Sequence, residues 1–203
     1  MSASTPSTTL RELVGLSGTL PRLADSTLIM VDFQNTYRSG VMALEGAEEA
    51  LAAGARLLAA ARAAAAPVIH VVNDGGEGTP YDIRAEIGAI SAEVAPLDGE
   101  PVVVKQVPNA FHGTGLEETL RQLGAGPDLV IAGFMTHMCV TFTAQGAFNL
   151  GYRPTVVADA TATRALAAPD GTLVPAAALQ TASLTTIADL FGPVAPTADS
   201  LPV

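Results

Sequence analysis

The chain has no tryptophan, one cysteine and one lysine, and its acidic residues outnumber its basic ones by 20 to 10. Each shortage closes a route. A lone cysteine, Cys139, excludes an intrachain disulfide and leaves the compartment open. Nine arginines and Lys105 are scattered through a chain of net charge −10, which argues against a nucleic-acid partner or an anionic membrane surface. The most apolar region, around Leu57 and Leu58, is alanine-rich and interrupted by Arg56 and Arg62, so no stretch reads as membrane-spanning. The N-terminus shows no charged segment leading into an apolar core, so a secretory signal is not expected. These absences together predict a cytoplasmic protein without a membrane partner.

What is present is apolar material in quantity. At 203 residues and 49% hydrophobic, the chain has enough for one well-buried core. Residues 1–9 are rich in Ser and Thr and are expected to be mobile. Residues 10–25 carry hydrophobes at no sustained period and read as an arm packed on a neighbouring subunit. Short apolar runs with β-branched residues follow at 27–31, 67–72, 101–105, 128–132 (broken by Gly133) and 154–158, each reading as a buried strand. Helical composition fills 45–65, 114–123, a segment from Thr136 and a last one over 176–190. Thr114 with Glu117 predicts a capping box, and Gly124 a helix end. Residues 80–99 read as irregular with a helical turn or two. Strands alternating with helices mean an α/β domain whose mostly parallel sheet is covered on both faces. The expected division is an arm over 1–26, one folded unit over 27–192 and a tail over 193–203.

In such a sheet the carboxyl ends of the strands share one edge, so polar residues at those ends meet. Asp32, Lys105 and Cys139 stand there, with His70 and Asp159 as further candidates. Thr136 is the expected N-cap of a helix carrying Val140, Ala144, Ala147 and Phe148 on one face. Cys139 then lies in the first turn, where the helix dipole favours a thiolate; the alternative is a small buried hydrophobe. Lys105 is the sole lysine among nine arginines, and a compact ammonium suits a confined site beside a carboxylate. The alternative is a surface lysine paired with an acid. Asp32 is either a base or the cap of the turn that follows it. Base, cation and nucleophile on one edge are a constellation for covalent catalysis.

Three segments then carry a family resemblance. Val31-Asp32-Phe33-Gln34-Asn35-Thr36-Tyr37, the strand ending at Lys105 followed by Asn109-Ala110-Phe111-His112-Gly113-Thr114, and Ala132-Gly133-Phe134-Met135-Thr136-His137-Met138-Cys139-Val140 resemble the isochorismatase-like cysteine hydrolases. The resemblance runs from about Leu28 to Leu190. It implies a Rossmann-like three-layer sandwich with about six strands and an Asp32–Lys105–Cys139 triad. It also implies a cis Phe134–Met135 peptide and an oxyanion hole from the Met135 and Cys139 N–H groups.

The mechanism implied is thiolate attack on an amide carbonyl, with Asp32 taking and returning the proton and Lys105 holding Asp32 anionic. Metal-dependent nicotinamidases carry an Asp-x-His after the second strand. Here Asn73-Asp74-Gly75-Gly76 stands in its place, and His70, His112 and His137 lack that grouping, so neither metal nor cofactor is expected. His70 sits inside a strand and reads as a core histidine.

Substrate contacts are expected from Gln34, Tyr37, Phe111, His112, Phe134, Thr136, His137 and Met138, with Phe33 in the same apolar wall. Arg164 reads as a solvated arginine, with contact to a substrate carboxylate as the alternative. The expected activity is metal-independent cleavage of the C–N bond in a small amide, ureido or carbamoyl compound. Two alternatives are ether or ester hydrolysis with Asp32 as acid, and a non-catalytic binding or assembly protein of this fold. A homo-oligomer, dimer or tetramer, is expected by resemblance.

Overall fold

The strand β1 (Thr27–Val31) is buried along its whole length, because its alternate residues enter two different cores. Leu28 and Met30 pack with Leu51, Leu57 and Leu58 of helix α2 (Ala47–Ala63), while Ile29 and Val31 face the opposite layer. A strand clothed on both faces has no polar alternation to show, which is why it reads as a continuous apolar run. The computed structural model describes residues 7–202; of the segment expected to be mobile, residues 1–6 lie outside the described residues.

β2 (Val68–Asn73), β3 (Val102–Lys105), β4 (Asp128–Phe134), β5 (Arg153–Ala162) and β8 (Val194–Ala195) complete a six-stranded sheet in the order β3-β2-β1-β4-β5-β8. Every pairing in it is parallel. The second layer holds α3 (Leu116–Gln122), α4 (Thr141–Asn149) and α5 (Ala176–Thr186), joined to the sheet through Leu116, Leu120, Ala144, Ala147 and, just past α5, Ile187. The result is the single α/β domain with helices on both faces that the element pattern predicts. A small antiparallel hairpin, β6 (Leu166–Ala167) with β7 (Leu173–Val174), lies outside the sheet. Among the described residues no helix is long and apolar enough to cross a membrane.

Four local expectations need correction. Residues 193–203 are not merely a tail: Val194 and Ala195 form β8, pairing with Val156 and Val157. Two residues have no periodicity to read; the free edge of β5 recruits them. β5 itself runs on to Ala162 through an irregularity opposite Ile131–Gly133, so Asp159 lies within it rather than at its end. The capping box at α3 does not form: Gly115 is the N-cap, and the Thr114 hydroxyl, which donates to the Ala110 carbonyl, accepts from Leu116 N–H rather than from Glu117 N–H. Thr136 is already the first residue of a π turn (Thr136–Val140) entered from Met135, and its hydroxyl is buried without a partner.

The arm contains a short helix, α1 (Leu10–Leu13), closed by a Thr9–Glu12 capping box. It is held to its own chain by Leu10 N–H donating to Asp189 Oδ1 at 3.0 Å and by Arg11 Nη1 donating to the Leu190 carbonyl at 3.2 Å.

Candidate active site

The parallel order fixes where the polar strand ends meet. Asp32 follows β1, Lys105 ends β3 and Cys139 lies in the π turn after β4, all at the same edge of the sheet. β1 and β4 are neighbours, whereas β2 separates β1 from β3, so a long side chain must cross from β3 to reach Asp32. Lysine has that reach. Its Nζ lies 2.7 Å from Asp32 Oδ2, with both side chains wholly buried.

The same ammonium lies 3.2 Å from Cys139 Sγ and 3.4 Å from Asn73 Oδ1. Three acceptors surround a group with three hydrogens. Asn73 ends β2 and stands opposite Lys105 in the register, a partner that the sequence reading does not include. The rule that found the others, a polar residue closing a buried strand, applies to it equally.

The backbone aims Asp32 by leaving the strand abruptly. Its φ is 52°, its N–H still donates to the Val71 carbonyl at 2.8 Å, and its carbonyl accepts from Gln34 N–H at 2.7 Å. On β4, Gly133 is required: a Cβ there would fall 1.8 Å from the Val31 carbonyl oxygen. The Phe134–Met135 peptide that follows is cis, as the resemblance implies. The Met135 carbonyl accepts from Met138 and Val140 N–H at 3.0 and 3.2 Å, which closes the turn on which Cys139 rides.

Burial dominates the electrostatics. It raises the Asp32 carboxyl above its ordinary value, against the pull of Lys105. For Lys105 burial works downward, but the Asp32 carboxylate and the hydrogen bonds to Asp32 and Cys139 outweigh it and hold the ammonium charged. Cys139 is pushed up to about 12, by burial first and then by the neighbouring carboxylate. The expectation of a resting thiolate is therefore overturned: the site holds a thiol beside an Asp–Lys ion pair. The favourable helix terminus loses to desolvation.

The expected substrate contacts divide. Tyr37 and Phe134 do meet beside the cluster, edge to face at 5.5 Å, with Phe33 4.9 Å from Phe134. His137 is half-buried, its Nδ1 2.6 Å from Thr163 Oγ1. Met138 and the exposed His112 line a cavity of about 340 Å³ with Val107, Pro108, Asn109 and Phe142. Thr136 is buried behind the turn.

Phe111 turns away to stack on Tyr152 at 5.9 Å. Gln34 is not free to meet a substrate. Its Nε2 donates to the carbonyls of Asn73 and Gly88, and its Oε1 accepts from Asn73 N–H. His70 is the core histidine expected, 3.1 Å from Glu100 Oε2, and Asp159 lies 3.7 Å from Arg56, so neither joins the cluster. Among the described residues no group of three or more His, Cys, Asp or Glu is placed to hold a metal ion.

Tyr81 was missed altogether. It lies on the loop between β2 and β3 with its ring 5.8 Å from that of Tyr37, and it feels the charges of both Asp32 and Cys139.

Known proteins share this arrangement of elements. An isochorismatase domain matches residues 26–199. The crystal structure of an isochorismatase from Pseudomonas putida is 42% identical, covers 97% of this chain and 100% of its own, and superposes with a TM-score of 0.91. The secreted isochorismatase effector of Verticillium dahliae is 33% identical over 90% of this chain and 93% of its own length. A ureidoacrylate amidohydrolase of Variovorax paradoxus is 32% identical over 68% of this chain and 69% of its own.

Proposed function

The chain belongs to the isochorismatase family of hydrolases, and within that family we propose that it is a cysteine amidohydrolase. Its substrate is a small amide, ureido or carbamoyl compound, cleaved at the C–N bond through a thioester on Cys139. One observation carries the reading: Lys105 Nζ lies within reach of both Asp32 Oδ2, at 2.7 Å, and Cys139 Sγ, at 3.2 Å. When the thiol proton passes to Asp32, the buried anion moves from oxygen to sulfur while the same ammonium faces it. The site keeps one cation and one anion throughout, so no uncompensated charge is created in a dry place.

The steps follow from that exchange. Cys139 gives its proton to Asp32, and the thiolate attacks the carbonyl carbon. Met135 and Cys139 N–H groups receive the resulting oxyanion. Asp32 then protonates the leaving nitrogen as the C–N bond breaks, because an amine does not leave as an anion. A water deprotonated by Asp32 attacks the thioester, the C–S bond breaks, and the sulfur recovers the proton. The ureidoacrylate amidohydrolase relative supports a C–N bond as the target.

The upward shift of Asp32 also suits a second reading, in which the carboxyl acts as an acid on an ether and the sulfur is incidental. A panel of small amides and ureido compounds tests the two, read by ammonia or amine release and by intact mass for an acyl adduct. The expected result is a single acyl adduct that disappears in Cys139→Ala, with turnover falling about a thousandfold or more. Full turnover in Cys139→Ala would overturn the cysteine mechanism in favour of the acid one.

A further inference from the structure

Gly54 is out of place in its own helix. Nine of the 17 residues of α2 are alanine, the best helix former, and Gly54 is the one glycine among them. Its backbone is ordinarily helical, so no left-handed conformation calls for it. A glycine in a helix interior is unfavourable against alanine, unless another element needs the room. Here one does. A Cβ at position 54 would stand 2.6 Å from Phe33 Cζ and 2.8 Å from Phe33 Cε1.

The Phe33 ring has nowhere to retreat. It is 2% exposed and meets Phe134 edge to face at 4.9 Å, and Phe134 in turn meets Tyr37 at 5.5 Å. The backbone beside it is anchored twice. The Phe33 carbonyl accepts from Ser91 N–H at 2.8 Å, and Asp32 N–H donates to the Val71 carbonyl at 2.8 Å. All three rings share one core with Ala50, Ala53 and Leu57 of the same helix. An interior packed this closely passes a displacement on to the next side chain rather than absorbing it. Phe33 therefore touches both halves of the site: it follows Asp32 in the chain, and it packs on Phe134, the residue before Met135.

We propose that Gly54 is a positioning residue for the oxyanion donors. The side chain it lacks gives Phe33 its place, Phe33 backs Phe134, and Phe134 sets where the Met135 N–H points relative to Cys139. A methyl at position 54 drives the ring toward Phe134 and displaces that N–H, with no atom of Asp32, Lys105 or Cys139 replaced. The role rests on the thioester reading above, in which Met135 N–H receives the oxyanion, but the coupling can be read without turnover.

Selective labelling of methionine with 15N reports on that N–H directly. Met30, Met42, Met135 and Met138 each give an amide signal, assigned by single Met→Leu variants. In Gly54→Ala the Met135 signal is expected to move by several linewidths. In Gly54→Ala/Phe33→Leu it should return, since leucine gives up about the volume that the methyl takes. With the best amide of the panel, kcat is expected to fall about 10- to 100-fold in Gly54→Ala while KM stays within about twofold, because a misplaced donor is felt only in the transition state. The double variant should recover most of that loss. An unmoved Met135 signal in Gly54→Ala overturns the proposal, as does an unchanged kcat, a loss carried in KM, or a double variant no better than Gly54→Ala. If the signal moves and returns while the wild-type protein hydrolyses no amide, the control of Met135 by Gly54 stands and the amide-cleaving reading falls. Should Gly54→Ala fail to fold, Phe33→Leu empties the place beside Gly54 and decides the matter: an unmoved Met135 signal there overturns the proposal.

Discussion

Gln34 and Asn73 grip one another through a reciprocal pair of hydrogen bonds, Gln34 Nε2 to the Asn73 carbonyl and Asn73 N–H to Gln34 Oε1, each 3.0 Å long. The clasp joins the residue after the β1 turn to the end of β2, and the Asn73 side chain then reaches Lys105 at 3.4 Å. A substrate-binding role was the sequence expectation for Gln34; its amide instead fixes the loop that carries Tyr81.

Gln34→Ala should therefore act on stability as well as on activity. It strands one buried N–H and two carbonyls, at about 3 kcal/mol in total. Thermal unfolding is expected to fall by roughly 6–12 °C for a chain of this size. A melting temperature within a degree or two of wild type would show that water or rearrangement satisfies these groups.

Lys105→Met removes the cation from a buried pair, a change that typically costs about 3–5 kcal/mol. Burial then raises the Asp32 carboxyl with only the Cys139 hydrogen bond left to oppose it, so lowering the pH lets it take up a proton and relieves the cost. The gap in melting temperature between variant and wild type should be widest near pH 8 and narrow toward pH 5. A constant gap would mean that Lys105 acts through packing alone.

Cys139, pushed up to about 12, should label slowly with iodoacetamide near neutrality and faster as the solution becomes alkaline. Part of that shift comes from the Asp32 carboxylate, while Lys105 works the other way. Asp32→Asn is accordingly expected to abolish turnover yet speed alkylation at pH 8, because the ammonium then faces the sulfur alone. Slower labelling in Asp32→Asn at every pH would mean that Asp32 supports the thiolate at rest.

Glu100, a structural group, offers an independent pH test. The Arg62 guanidinium, with Leu97 N–H and His70, holds its carboxyl down to about 2. A depressed carboxyl stabilises the fold fully above its unfolded value of about 4.3 and loses that contribution as pH falls through the folded one. Glu100→Gln should lower the melting temperature at pH 7, with the difference from wild type shrinking between pH 4 and pH 2. A difference independent of pH would assign Glu100 a packing role only.

The three-residue cluster was legible in the sequence because its signal is local. Asp32 and Lys105 each close a continuous apolar run, and Cys139 follows the glycine that breaks another. Burial on both faces of a parallel strand is written in consecutive residues, so the sheet and its polar edge could be read along the chain. The helix caps at Thr114 and Thr136 do not form despite good local signals, because the helix after Thr114 starts one residue later, at Gly115, and burial isolates the Thr136 hydroxyl.

Tertiary structure alone decided the rest. Gln34 and Gly88 are 54 residues apart, and no local pattern announces that their bond closes a loop. β8 is too short to have a period, and only the open edge of β5 makes it a strand. The thiol at Cys139 and the Arg164 guanidinium resting on the Val41 carbonyl and Met42 Sδ are equally invisible in sequence. Proton affinity and pairing depend on which groups surround a side chain and how far water is excluded, and those follow from packing across the chain rather than from neighbours along it.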